Sequence, residues 1–426
     1  MVKLGGVIQF HSWTEIARGV SFLVSLSFVS FSPAYSSNGI ELIGVGPVQI
    51  GNGGAGVARP QTSQAIYINP AGMNQVGNRG DLTLTVGFSH SRMGTSLARG
   101  GNPSAIDVHG TENPVLIPNG SAVFSLLKNN RLSLGIGAVF TAGFQVDYPV
   151  SRLPSALTQN QYDRSGRYAN LKILPAVSFR IFNQLSLGAA LDINYAMLES
   201  DSAVTAPGFP ETTGQNRDDS ALGIGGRIGL IYTPHPRIQI GALYVTPQRY
   251  QRFDRYADLI PGSLNLPQEV VFGLAVTPFS GALLQTDFKW INWSSGFLGS
   301  PVAAGGLQWR DQYVFAGGFQ YDFHPHFQVP LTLRLGYNYG RSPVSPAVAF
   351  PNVLIPGVVE HHLTTGISYE ITKHVGIDAA YVRDFKNTVV DNGSLNPLGG
   401  GGFVGNSGHA FSLGIHGTWG RTREKP

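Results

Sequence analysis

The sequence predicts an all-β fold: an up-and-down antiparallel β-barrel of about 14 strands that spans a membrane, with an N-terminal hatch inside its lumen. Three observations predict it. Apolar residues alternate with polar ones over many segments, the connections alternate between short and long, and the composition is too polar for helical membrane spans yet too poor in charge for a soluble chain. Only 13% of residues are charged, glycine occurs 55 times, and mean hydropathy is near zero. Beyond residue 34 the chain has no apolar run long enough for a transmembrane helix.

Taken in order, the chain opens with Lys3 and Arg18 ahead of an apolar run from Gly19 to Phe31, closed by Ser32-Pro33-Ala34. A basic start, a short apolar core and a small-residue end describe an export signal, so residues 1–34 are expected to be removed after Ala34. Residues 35–80 differ in character. Gly44-Val-Gly46, Gly51-Asn-Gly-Gly-Ala-Gly56 and Ala65-Ile-Tyr-Ile-Asn69-Pro70-Ala71-Gly72-Met73 carry glycine at a density that suits tight turns. The segment is too low in charge for a solvated linker, which places it inside the barrel as a hatch.

Residues 81–419 carry the strands. Leu82, Leu84, Val86 and Phe88 alternate with Thr83, Thr85 and Gly87; Leu185 to Tyr195 alternates with Ser186, Asp192 and Asn194; Leu331 to Tyr339 alternates with Thr332, Arg334 and Asn338. Leu363 to Tyr369 and Phe411 to Ile415 repeat the pattern. Successive strand residues face opposite sides, so each segment has a lipid face and a wet face, over the roughly ten residues that a tilted strand needs to cross. Short connections are expected at 128–130, 183, 234–236, 278–281, 323–327 and 371–374, and long ones at 92–118, 149–167, 198–219, 247–267, 295–310, 341–360 and 386–407. Short periplasmic turns and long external loops are the habit of outer-membrane barrels. Tyr195, Tyr232, Tyr244, Trp290, Trp293, Tyr321, Tyr369, Tyr381 and Trp419 fall near strand ends and are expected to form the interfacial girdles. Residues 420–426 form a basic tail, expected to be disordered.

Charge and chemistry exclude several functions. The net charge of +4 is concentrated in the leader and tail, so the barrel carries no nucleic-acid footprint. Lumen-facing charges are Lys172, Arg180, Arg227, Lys289 and Arg334, with Asp192, Asp287, Glu370 and Asp378. They can pair among themselves or hold a ligand carboxylate. His324-Pro-His326 and His361-His362 lack a ligand geometry, so neither a metal nor a cofactor is expected. A Ser and His on one barrel face would be needed for an outer-membrane lipase, and no nucleophile motif occurs in a suitable context. No enzyme is expected.

Asn69-Pro70-Ala71-Gly72-Met73, Pro175 to Arg180 before Leu185-Ser-Leu-Gly188, Asn292-Trp293-Ser294, Leu333-Arg334-Leu-Gly336-Tyr337 followed by Ser342-Pro343-Val344, and Ile355-Pro356 together resemble the outer-membrane long-chain fatty acid transporter (FadL-type) family, over residues 38–419. The resemblance implies a monomeric barrel in the bacterial outer membrane, built by the barrel assembly machinery and surrounded by outer-membrane lipid and lipopolysaccharide. It implies passive uptake of hydrophobic molecules, long-chain fatty acids foremost, with neutral compounds such as aromatic hydrocarbons as the alternative; a lipid-modifying enzyme and an open porin are the readings from other classes. Asn69, Pro70 and Ala71 would be the hatch motif. The third strand, Leu132 to Tyr148, would carry the kink at Ala142, Gly143 and Phe144 through which ligand leaves sideways. The outer capture groove would include Phe253, Tyr256, Leu259 and Ile260, which recur three or four apart as on a short helix. Carboxylate candidates are Arg310, Arg227, Arg334 and Lys172, with one departure: where the family places bases on the fifth strand, this chain reads Leu198-Glu199-Ser200-Asp201.

Overall fold

A computed structural model describes residues 38–95, 106–127, 130–149, 164–201, 217–257, 260, 262–395 and 400–420. The leader and the last six residues lie outside the described residues. Fourteen strand positions close into one antiparallel barrel: β1 (Arg79–Ser89, continued by Arg92–Thr95), β2 (Ile106–His109, then Val115–Ser125), β3 (Leu132–Tyr148), β4 (Arg164–Phe182), β5 (Leu185–Asp201), β6 (Arg217–His235), β7 (Ile238–Val245, continued by Arg249–Tyr250), β8 (Glu269–Val276), β9 (Ala282–Ile291), β10 (Gln312–Asp322), β11 (Leu331–Gly340), β12 (His361–Glu370), β13 (Val375–Val390) and β14 (Phe403–Thr418). Each pairs with the next, and β1 pairs with β14 from Arg79↔Thr418 to Ser89↔Gly408, which removes the sheet edge.

The wall is clearest where alternation is clean. On β12 the residues from His361 to Tyr369 alternate exposed and buried without exception, and on β14 Phe411, Leu413 and Ile415 are exposed while Ser412 and His416 are buried. Exposed leucines and aromatics outside, buried polar groups inside, invert the pattern of a soluble protein and fit a lipid solvent.

Two expectations change. The long connections are shorter than the sequence suggested, because β3, β4, β5 and β6 run for 17 to 19 residues, beyond the roughly ten needed to cross, and two further strand segments fall within 92–118. Trp293 is no girdle residue. It is fully buried, stands edge-on to Trp309 with ring centroids 5.1 Å apart, and donates its indole N–H to Gln312 Oε1 at 3.2 Å. Its strand ends at Ile291, so the chain has already turned inward there and the side chain follows it.

Residues 38–78 fill the lumen with short turns of helix: α1 (Pro47–Gly51), α2 (Ala65–Ile68), a 3-10 turn (Pro70–Gly72) and α3 (Met73–Val76). Such helices are far too short to persist alone. Their stability comes from the wall: Ala65, Ile66 and Met73 pack with Val123, Val139 and Leu174, and Val57 and Ile68 with Leu243, Val245 and Val271. Wall carboxylates cap the turns, Asp81 accepting from Ser63 N at 2.8 Å and Asp287 from Gly56 N at 2.8 Å and Val57 N at 3.0 Å.

Candidate functional site: a lumenal cavity and a gap in the wall

The hatch motif sits against bare wall. Asn69 Nδ2 donates to the carbonyls of Val57 at 2.8 Å and Leu230 at 3.2 Å, while its Oδ1 accepts from Ala71 N at 3.1 Å. Proline at the first position of the following turn suits a helix start. The approach requires glycine opposite: a methyl on Gly229 would lie 1.9 Å from Asn69 Oδ1, and one on Gly188 2.3 Å from Ala71 N. Both glycines were legible as strand residues, but only the fold shows what they admit.

Beside the hatch, a small cavity of about 40 Å³ is lined by Leu42, Ile43, Val57, Tyr67, Ile68, Leu243, Val271 and Val314, with Asn38, Gln49, Asn338, Arg227, Glu269, Asp287 and Lys289 as its polar groups. A space of this size holds about three waters. Its bases are engaged. Asp192 receives Lys172 Nζ at 3.0 Å and, in a two-pronged pair, Arg227 Nε at 3.0 Å and a terminal nitrogen at 2.7 Å; Arg227 also donates to the Tyr67 carbonyl and lies over the Tyr67 ring, 4.3 Å from its centre. Lys289 lies 3.4 Å from Glu41 of the hatch and 3.2 Å from Glu269. Burial, reinforced by the Glu269 carboxylate, pushes the Glu41 carboxyl up to about 8. Arg334 is spent on Gln320 Oε1 at 2.9 Å and Ser368 Oγ at 2.6 Å, beneath α1. Arg310 is apart from all of these, exposed just ahead of β10, with Arg341 and Glu360 as its charged neighbours.

The third strand breaks where the sequence places the kink. From Val139 to Phe144 every residue is buried, so alternation stops. Pairing with β4 slips between Phe140 and Ala142, leaving Thr141 as the extra residue of a bulge. On the other side β2 and β3 pair only from Ser125↔Ser133 to Gly120↔Ala138. Above that point Asn119 Oδ1 takes Phe140 N at 2.8 Å, and the strands meet again at Thr111 N to Asp147 O, 2.7 Å. In the interval the hatch supplies the partner: Gly143 N donates to Ile40 O at 2.8 Å and Leu42 N to Thr141 O at 3.0 Å. Glu41 sits between these two bonds, bridged to Ala142.

The groove candidates sit at the rim beside β5 and β6. Phe253, Tyr256 and Ile260 are buried, the Tyr256 hydroxyl accepts from Ser200 N at 2.7 Å, and Leu259 lies outside the described residues. Glu199 meets a base after all, Arg167 of β4 at 2.9 Å; cross-strand neighbours cannot be read from one strand's sequence. Among the described residues one cluster, Asp81, Asp378 and His416, has ligand atoms close enough for a cation. The guanidinium of Arg79 stands there instead, 2.7 Å from Asp81 and 3.8 Å from Asp378, and His416 is tied to Asp378 at 2.8 Å and Glu370 at 3.2 Å. The donor atoms are therefore already engaged within the protein, by Arg79 and by one another.

Residues 34–410 match the sequence model of the outer membrane protein transport protein (OMPP1/FadL/TodX) family. No curated protein sequence matches the chain. Among solved structures it is similar to the Pseudomonas putida toluene transporter TodX (17% identity, TM-score 0.67, covering 89% of this chain and 99% of that one), to a Pseudomonas aeruginosa FadL homologue (19%, 0.65, 92% and 100%), and to the Ralstonia pickettii toluene transporter TbuX (20%, 0.63, 88% and 99%).

Proposed function

We propose that this chain, which belongs to the OMPP1/FadL/TodX family of outer-membrane transport proteins and is therefore a bacterial outer-membrane channel for hydrophobic compounds, carries small neutral molecules such as monoaromatic hydrocarbons, and releases them sideways between β2 and β3. The observation that carries the neutral ligand is the state of the lumenal bases. Lys172 and Arg227 share Asp192, and Lys289 is bonded to Glu269 beside Glu41. An arriving carboxylate would have to break a buried pair, and stranding a buried charge costs about 3–5 kcal/mol. A neutral ring makes no such demand and gains roughly 25 cal/mol per Å² of apolar surface removed from water.

Transport then needs the hatch to yield, since the cavity beside it holds only a few waters' volume. The segment from Asn38 to Leu42 is the part to move, because it bonds to the backbone of β3 within the interval between β2 and β3, and does so with two backbone bonds. Moving it opens cavity and gap together, and the ligand passes into the membrane without returning to water.

Fatty acid uptake is the second reading, favoured by the exposed Arg310 at the mouth. Uptake of labelled toluene and labelled oleate into cells lacking other such channels separates the two. Toluene uptake that rises with expression while oleate uptake does not supports the neutral ligand; saturable oleate uptake abolished by Arg310→Gln, with toluene unaffected, overturns it. Asp192→Asn is the sharper probe: it leaves Lys172 and Arg227 without their acid, so oleate uptake should appear where the parent has none.

A further inference from the structure

We propose that Arg383, His409 and Phe88, where β13, β14 and β1 leave the apolar band on its outer side, form a binding site for the phosphorylated head group of lipid A, the anionic glycolipid anchor of lipopolysaccharide. Opposed residues in a sheet share a face. The register Leu363↔Arg383, Arg383↔His409 and His409↔Phe88 therefore sets one row across β12, β13, β14 and β1. Leu363 is exposed on the lipid side, so Arg383, His409 and Phe88 point outward with it. His90 follows two residues beyond Phe88 on the same face, and its ring lies 5.5 Å from that of His409.

The height of this row is fixed by the strand. From Trp419, at the short-turn end of β14, to His409 is ten residues, about 34 Å along an antiparallel strand and about 26 Å along the axis at a tilt of about 40°. The apolar band of such barrels is about 25 Å tall. Between the two ends the outward residues of β14 are Gly417, Ile415, Leu413 and Phe411, all without charge. Arg383 and His409 thus stand at the boundary where acyl chains give way to head groups, on the side of the long connections. An arginine facing the membrane midplane is costly and one at the interface is not.

Arg383 is the permanent cation of this row and is not neutralised from within the wall. Among the described residues Arg383 forms no ion pair; its guanidinium reaches only the Gly408 carbonyl, at 3.3 Å. The neighbouring acid on its own strand, Asp384, faces the lumen and is bonded to His362 at 2.6 Å. Glu112 takes His90 at 2.5 Å, and Asp107 takes Arg92. A guanidinium and an adjacent imidazole at head-group depth suit a phosphate monoester. The exposed Phe411, Leu413 and Leu84 directly below suit its acyl chains, which is why a lipid rather than a free anion fits.

The test is native mass spectrometry of the full chain in mild detergent at about neutral pH, offered lipid A with its phosphates, the same lipid dephosphorylated, or inorganic phosphate. Phosphorylated lipid A should be retained at least about tenfold over either of the others, a difference of about 1.4 kcal/mol. Arg383→Gln with His409→Gln should remove that preference while the heat-modifiable band of the folded barrel is unchanged, Arg383→Lys should restore part of it, and Arg131→Gln, a base at the opposite rim over the Phe179 ring, should leave it intact. Equal retention of the two lipids by the parent chain, equal binding of inorganic phosphate, or the same loss in Arg131→Gln would overturn the assignment.

Discussion

Two stretches of wall, β11–β12 and β2–β3, are built from similar residues and behave differently. Between Leu331↔Tyr369 and Tyr339↔His361 the first pairs without a slip, and every second side chain faces lipid. The second pairs over only six residues, and its strand from Val139 to Phe144 is buried on both faces. The sequence of β3 is as apolar as that of β11. What differs is one extra residue, Thr141, and the presence of a hatch backbone to satisfy the groups that β2 abandons. In a solvent without water an unpaired backbone group is costly, so a barrel can leave a wall open only where another part of the chain answers for it.

That contrast can be broken most severely by deleting Thr141. Without the extra residue β3 regains a continuous register with β4 and its alternation, its upper half returns to β2, and the interval shuts. Toluene uptake should fall by at least about tenfold while heat-modifiability shows a folded barrel; unchanged uptake would show that ligand does not leave there. The regular wall gives the opposite experiment. Leu335 is 54% exposed near the middle of β11, and Leu335→Arg should destabilise the folded barrel by roughly 2–4 kcal/mol, read by urea titration, with less effect on uptake by the population that folds.

A smaller effect is expected from Gly229→Ala. Its methyl would overlap Asn69 Oδ1, so the hatch must shift at a cost of about 1–3 kcal/mol, seen as faster proteolysis within residues 38–78 and no change in the barrel's own resistance. The gentlest probe is pH. Glu41 is raised from 4.5 to about 8, so its protonated form is the one that docks. A raised carboxyl contributes docking stability that is complete below about pH 4.5 and is lost as pH climbs through about 8. Protection of the Leu42 and Gly143 amides, corrected for the intrinsic base-catalysed exchange rate, should therefore fall between pH 5 and 8, and Glu41→Gln should flatten that slope; a slope in protection that persists in the variant would assign it to another group.

Much of this was legible residue by residue. Leu185 to Tyr195 announces its two faces because lipid sorts side chains with period two, and the break at Thr141-Ala142-Gly143 is visible as a failure of that period. Asn69-Pro70-Ala71 is visible as a turn. Trp293 was misjudged because an aromatic at a strand end reads the same whether it faces head groups or folds back into the lumen. Lys172 and Arg227 were legible as lumenal bases but not as partners of one acid, since Asp192 comes from a different strand; Glu199 and Arg167 repeat the lesson at the rim. Phe253 and Tyr256 suit a groove or packing equally in sequence, and the hydrogen bond of Tyr256 to Ser200 across the rim is visible only in the fold.

By itself the sequence determined the barrel, its strand number and the presence of something in the lumen, because alternation, turn residues and glycine density are local and lipid imposes one rule on every strand. Tertiary structure alone decided which charges cancel, which glycines admit the hatch, and which backbone closes the interval beside β3. Those outcomes depend on residues far apart in the chain meeting across the lumen, and a distance of that kind leaves no periodic trace in the order of amino acids.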